Sequence, residues 1–133
     1  MAERGNRANA PGGERPARVG ERIRAEVMDM LLRGQLKDPA VRDVVVHEVK
    51  VSGDLRYARI FVRSGRPDPK PARQKALMSG LGRATGFVRR ALGKRLKLRY
   101  TPEITFVWDD TAERAARIEE ILEDISNEAP SGD

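Results

Sequence analysis

Few side chains in this sequence could carry covalent chemistry. Cysteine is absent, which removes a thiol nucleophile, a disulfide and a thiolate zinc site. The single histidine, His47, lies between Val46 and Glu48 in a β-rich run; with no nucleophile or orienting partner beside it, it reads as packed or solvated. Asp109 and Asp110 form an acid pair that could hold a divalent cation, yet they follow a predicted strand and precede Thr111, where acids favour a helix N-terminus. Gly80, Gly82 and Gly86 lie inside a helical apolar pattern and not after a strand, so they do not make a phosphate loop. No cofactor and no metal is expected. The groups with chemistry to offer are cations.

Lysine and arginine number 26 against 20 acids, a formal net charge of +6, and the pI is about 10.2. The excess is local. Between Asp68 and Glu103 there is no acid, while Lys70, Arg73, Lys75, Arg83, Arg89, Arg90, Lys94, Arg95, Lys97 and Arg99 all fall there. From Glu103 onward acids dominate, with only Arg114 and Arg117 opposing them, so a positive and a negative pole are expected. A face built for solubility mixes signs, because like charges one turn apart repel; an unmixed run points to a polyanion, whose condensed counterions each cation would release.

On a helical wheel Gly86, Arg90, Gly93 and Lys97 share a narrow sector, with Lys94 beside it and Phe87, Val88, Ala91 and Leu92 opposite. Glycine costs about 1 kcal/mol in a helix interior relative to alanine. Close approach of a sugar-phosphate backbone is one reason to keep Gly86 and Gly93 there. Arg95 points into the apolar sector, which snorkelling alone accommodates poorly.

The elements that must position this face follow from periodicity. Residues 1–16 are rich in Gly, Pro and charge and are expected to be a disordered tail, as are residues 127–133. A domain over residues 17–126 remains, one modest and mostly aliphatic core. Helical spacing of Val19, Ile23, Val27 and Met30 predicts a helix from about Ala17 to Arg33, closed by Gly34. Val44 to Ser52 and Tyr57 to Arg63 predict an antiparallel hairpin, with Ala58, Ile60 and Val62 on one face and Tyr57, Arg59, Phe61 and Arg63 on the other. After a proline-rich loop, Ala72 to Ala84 is helical; a second helix is expected to start at once, with Thr85 as its N-cap and its free N–H groups as an anion site. Glu103 to Trp108 predicts a third strand, and Thr111 to Ile125 a last amphipathic helix on Ala115, Ile118, Leu122 and Ile125. The fold class is α+β, a small mixed three-stranded sheet with helices packed on one face.

Several blocks in this order resemble the bacterial ribosome-binding factor A family: Arg18 to Arg24, Lys37-Asp38-Pro39, Val49 to Ala58, Ala84-Thr85-Gly86-Phe87-Val88-Arg89, Leu98-Arg99, Pro102 to Phe106 and Asp109. The resemblance spans about Ala17 to Ile125. It implies a type II KH-like fold in which an Ala-x-Gly kink, here Ala84-Thr85-Gly86, replaces the GxxG loop of ordinary KH domains. It also implies binding to free 30S subunits and their 16S rRNA, late subunit maturation including the 5′ end of that RNA, and importance in the cold. Members often carry a longer basic C-terminal extension, whereas this tail is short and acidic.

The expected protein is therefore a cytoplasmic, monomeric, non-catalytic RNA-binding factor without a membrane span. Its RNA-binding residues would be Arg83, Ala84, Thr85, Gly86, Arg89, Arg90, Gly93, Lys94, Lys97 and Arg99, with Arg56, Arg59 and Arg63 extending the surface from the sheet. Two rivals are a general nucleic-acid-binding module using the same helix and a metal-dependent phosphodiesterase built on Asp54, Asp109 and Asp110.

Overall fold

Val19, Ile23, Val27 and Met30 recur at helical spacing and all four are fully buried on one side of the first helix, α1 (Pro16–Leu32). Pro16 suits the first turn, where its fixed φ is already helical and its missing N–H is not needed. Gly34 ends the helix at φ +69, and the Gln35 N–H returns to the Met30 carbonyl at 2.9 Å. The computed structural model of the chain describes residues 15–66 and 70–128. Most of the two expected tails lies outside that range.

After a short 3-10 turn at Pro39–Val41, strands β1 (Val44–Val51) and β2 (Tyr57–Ser64) pair antiparallel. The register shifts between Val46 and Glu48, so His47 is the extra residue of a bulge. The third strand, β3 (Glu103–Trp108), pairs parallel with β2, giving the order β1-β2-β3. In β2 the expected alternation holds: Ala58, Ile60 and Val62 are buried, while Tyr57 and Arg59 are exposed and Phe61 and Arg63 half-buried on the opposite face. These β2 residues belong to one buried aliphatic cluster with Val19, Ile23, Leu77 and Leu81, so a Leu→Ala change in this core should cost about 2–5 kcal/mol.

The connection from β2 to β3 is one long helix, α2 (Pro71–Leu96), whose Leu77, Leu81, Val88 and Leu92 are fully buried. The predicted break at Ala84-Thr85-Gly86 does not occur. Thr85 is inside the helix, and its hydroxyl donates to the Leu81 carbonyl at 3.0 Å. A threonine that satisfies its hydroxyl one turn back has no need to begin a helix. With the backbone N–H groups there inside a helical ladder, the expected anion site at a helix start is absent as well.

Helix α2 ends at Lys97, which takes up a left-handed conformation (φ 55). Arg22 of α1 donates to the Leu96 carbonyl at 2.9 Å, satisfying one of the acceptors that a helix end leaves open.

Helices α1 and α2 cover one face of the sheet. Three strands spaced about 4.8 Å apart are spanned by two helices packed about 8–10 Å apart, which leaves no room on that face for a third helix. The last helix, α3 (Thr111–Glu128), accordingly does not join the core, and its Ile118, Leu122 and Ile125 remain 57%, 59% and 57% exposed. The predicted amphipathic helix is real, but its expected packing is not.

Candidate nucleic-acid interface

The solvent side of α2 carries the cations. A groove of about 580 Å³ runs along it and into the loop before β3, lined by Gly86, Arg89, Arg90, Gly93, Lys94, Arg99, Tyr100 and Thr101. Within it, Arg90 and Lys94 are exposed and make no ion pair with any described residue, and the same holds for Lys97 just beyond, at the helix end. Leaving cations unpaired on one surface costs mutual repulsion, so their spacing suits a partner that brings its own negative charge.

Not every expected cation belongs to that row. Arg89 is spent on the protein itself: its Nε donates to the Pro102 carbonyl at 3.1 Å and its terminal nitrogen to the Thr101 carbonyl at 2.9 Å. It fastens the loop to the helix. Arg83 is on the same helix but bonds Asp38, with its Nε 3.0 Å from the carboxylate. Together with the Ala40 N–H, the first cause, it holds the Asp38 carboxyl below the ordinary aspartate range. Arg83 and Ala84 line a separate hollow with Phe87 and Lys37, and Thr85 is occupied with Leu81.

Among the sheet residues, Arg56 reaches the site. It lines a hollow of about 240 Å³ shared with Arg89, Tyr100 and Thr101. Arg59 and Arg63 do not, because alternation sends them to the sheet face opposite the helices. Arg59 lies over the Phe61 ring, 5.7 Å from its centroid. Arg63 donates to the Asp109 carbonyl at 2.6 Å and to Glu113 at 3.2 Å, joining β2 to the start of α3. The expectation that both extend the α2 surface is thus corrected by their strand register.

The glycines separate in the same way. A Cβ on Gly93 would stand 2.9 Å from Thr101 Oγ1, whereas one on Gly86 would meet only the tip of Arg90 at 3.3 Å. Gly93 makes room for the protein's own loop; of the two, Gly86 keeps open space that an approaching RNA backbone could use. Arg95 also finds its reason. It donates to Glu26 (2.9 Å), Asp29 (3.1 Å) and Gln35 (2.8 Å), so it ties α2 to α1 and the Glu26 bond above all raises its pKa.

The acids proposed for catalysis are scattered. Asp54 sits in the hairpin, accepting from the Ser52 hydroxyl (2.7 Å) and the Arg56 N–H (3.1 Å). Asp109 is buried at the far end of β2, where its carboxylate accepts from the Thr111 N–H (3.0 Å) and hydroxyl (2.6 Å). Asp110 pairs with Arg114 at 3.0 Å. Separated by the length of a strand, Asp54 and Asp109 cannot share a metal. His47 is exposed, with Nδ1 3.7 Å from Asp109 Oδ2.

The residue that charge counting missed is Tyr100. It lines the groove, the hollow it shares with Arg56, and a further hollow beside Leu55 and Leu98. The available signal was an aromatic set between Arg99 and Thr101 at the end of the basic run.

A family profile for ribosome-binding factor A matches residues 15–122. A Gloeobacter violaceus ribosome-binding factor A is 54% identical over 117 residues, covering 86% of this chain and 88% of its own length. One from Halothermothrix orenii is 43% identical over 118 residues, covering 89% and 93%. Among solved structures, the Thermus thermophilus ribosome-binding factor A superimposes with a TM-score of 0.56 at 22% identity, over 69% of this chain and 93% of that one. A Thermotoga maritima solution structure gives 0.54 at 32% identity, over 71% and 91%. The residues matched by the family profile include both helices of the core, the hairpin and the groove: the chain belongs to the ribosome-binding factor A family.

Proposed function

We propose that this chain binds the free 30S subunit through its 16S rRNA and assists late subunit maturation, including processing of the 5′ end, by holding an RNA conformation and not by catalysis. The observation that carries this reading is the row of exposed cations, Arg90, Lys94 and Lys97, along one side of α2, with no ion pair to any described residue. Arg99 and Arg56 continue it toward the sheet. Cations at successive turns match a chain of phosphates, and the groove beside them admits a sugar-phosphate backbone. Relatives aligned over most of this chain are named ribosome-binding factor A, which favours ribosomal RNA over other polyanions. A cytoplasmic monomer important for growth in the cold is part of the same reading.

The test is sedimentation of subunits with the wild type and with a variant carrying Arg90→Glu, Lys94→Glu and Lys97→Glu. All three side chains are exposed, so the fold should survive and circular dichroism will show it. The wild type should travel with free 30S subunits and the variant should remain at the top of the gradient. Unchanged co-sedimentation of the folded variant would sink the assignment of this face. Competition between 16S rRNA and duplex DNA at matched salt separates this reading from a general nucleic-acid-binding module.

A further inference from the structure

Tyr100 is 62% exposed, yet its surroundings are fixed. The loop that carries it is bonded to α2 through Arg89 at both Thr101 and Pro102, and Thr101 is seated against Gly93 at a distance that leaves no room for a side chain. Two guanidinium groups from different elements converge on the ring: Arg56 from the hairpin lies 5.9 Å from its centroid and Arg99 lies 5.6 Å away. On one side of the ring is a hollow of about 490 Å³ walled by Leu55 and Leu98, within the size range of small-ligand clefts, roughly 300–1,000 Å³. Leu55 is held at φ 63, a conformation that costs a non-glycine residue strain. A glycine there would relieve the strain and remove the wall.

An exposed aromatic ring on an anchored loop, with guanidinium groups already lying over it and an apolar hollow beside it, has the makings of a surface for a flat, uncharged ring attached to a phosphate chain. The phosphate-facing row of Arg90 and Lys94 borders the same tyrosine through the α2 groove. We propose that Tyr100 is a stacking platform for one unpaired base of the bound RNA, so that the protein prefers a single-stranded segment to a continuous duplex. A base paired within a duplex cannot reach the ring, whereas an unpaired base swings out while its phosphates stay on α2. Arg56 and Arg99, which now lie over the ring, are exposed enough to swing aside onto the flanking phosphates as the base takes the ring face. This inference rests on the reading of the α2 face as RNA-binding.

Fluorescence anisotropy with a short single-stranded RNA, and with the same strand annealed to its complement, tests it on the full chain. Tyr100→Leu should weaken single-strand binding by roughly 5- to 150-fold while leaving duplex binding unchanged. Tyr100→Phe keeps the ring and should bind the single strand as the wild type does. Wild-type single-strand affinity in Tyr100→Leu, or an equal loss on both RNAs, would overturn the platform. The reading of the face fails separately, if the variant with glutamate at positions 90, 94 and 97 keeps its affinity for both RNAs.

Discussion

Gly93 and Thr101 are in contact across the joint between α2 and the β3 loop, so close that a Cβ on Gly93 would lie 2.9 Å from Thr101 Oγ1. With the Arg89 bonds to the Thr101 and Pro102 carbonyls, this close approach helps to seat the loop that carries Tyr100. Gly93→Ala gains helix propensity, about 1 kcal/mol, but must push the loop away, an overpacking cost of about 1–3 kcal/mol. The expected result is net destabilisation in thermal unfolding. In a Thr101→Ala background the obstruction is gone, and Gly93→Ala should become neutral or stabilising. Additive effects in this double-mutant cycle would show that the contact does not matter.

Gly86 should behave in the opposite way. A methyl group there meets only the mobile tip of Arg90, so Gly86→Ala should raise the stability of the free protein by about 0.5–1 kcal/mol. The same methyl occupies the space beside the cation row, and binding of 16S rRNA should weaken. A variant that is more stable and binds equally well would show that no RNA backbone approaches at this position.

Much of the frame was legible because periodicity reports burial directly. Val19, Ile23 and Val27 announce α1, and the alternation from Tyr57 to Arg63 gives both faces of β2. What local pattern cannot report is the partner across space. Arg95 looked misplaced on the wheel because Glu26, Asp29 and Gln35 are distant in sequence. Thr85 looked like a cap because a hydroxyl's choice between a free N–H and the carbonyl one turn back is decided by whether the helix continues, and here buried Leu81 and Val88 on either side pull it through. The stripe on α3 marks a helix, but whether a helix packs depends on how much sheet the others have left uncovered. In the site itself the cation row was readable from the missing acids. The assignment of Arg89 to carbonyls, and of Arg59 and Arg63 to the other sheet face, required the fold.

Asp109 gives a pH dependence whose sign follows from its bonds. The Thr111 hydroxyl above all, then the Thr111 N–H and the charges of His47 and Arg63, overcome the opposing effect of burial and hold its carboxyl below the ordinary aspartate range. A carboxylate with a depressed folded-state pKa contributes stability that is fully present above its unfolded pKa and is lost as pH falls through the folded value. Thermal midpoints of the wild type should therefore drop as the solution is acidified below the ordinary aspartate range. Asp109→Asn keeps an acceptor for the Thr111 N–H, since asparagine caps helices about as well as aspartate. It should be close to wild type near neutrality and show a shallower acid loss, with Asp29, Asp38, Asp54 and Glu113 supplying what remains. Parallel curves for the two proteins would remove Asp109 from the account.

The cation row makes a quantitative prediction that separates binding cations from structural ones. Each phosphate neutralised on a single strand or duplex contributes roughly 0.7–0.9 to the slope of log K against log salt. If Arg90, Lys94, Lys97, Arg99 and Arg56 each hold one phosphate, the wild-type slope on RNA should be about −3.5 to −4.5. Replacing Arg90, Lys94 and Lys97 by glutamine should reduce its magnitude by about 2–3. Arg95→Gln removes the same formal charge from the same helix, but Arg95 is committed to Glu26, Asp29 and Gln35. It should lower the unfolding midpoint and leave the salt slope unchanged. The two sets therefore move different observables, stability for the cation that faces α1 and salt dependence for those that face solvent. An Arg95→Gln variant whose slope falls as much, charge for charge, as that of the row would mean that net charge and not the geometry of α2 governs binding.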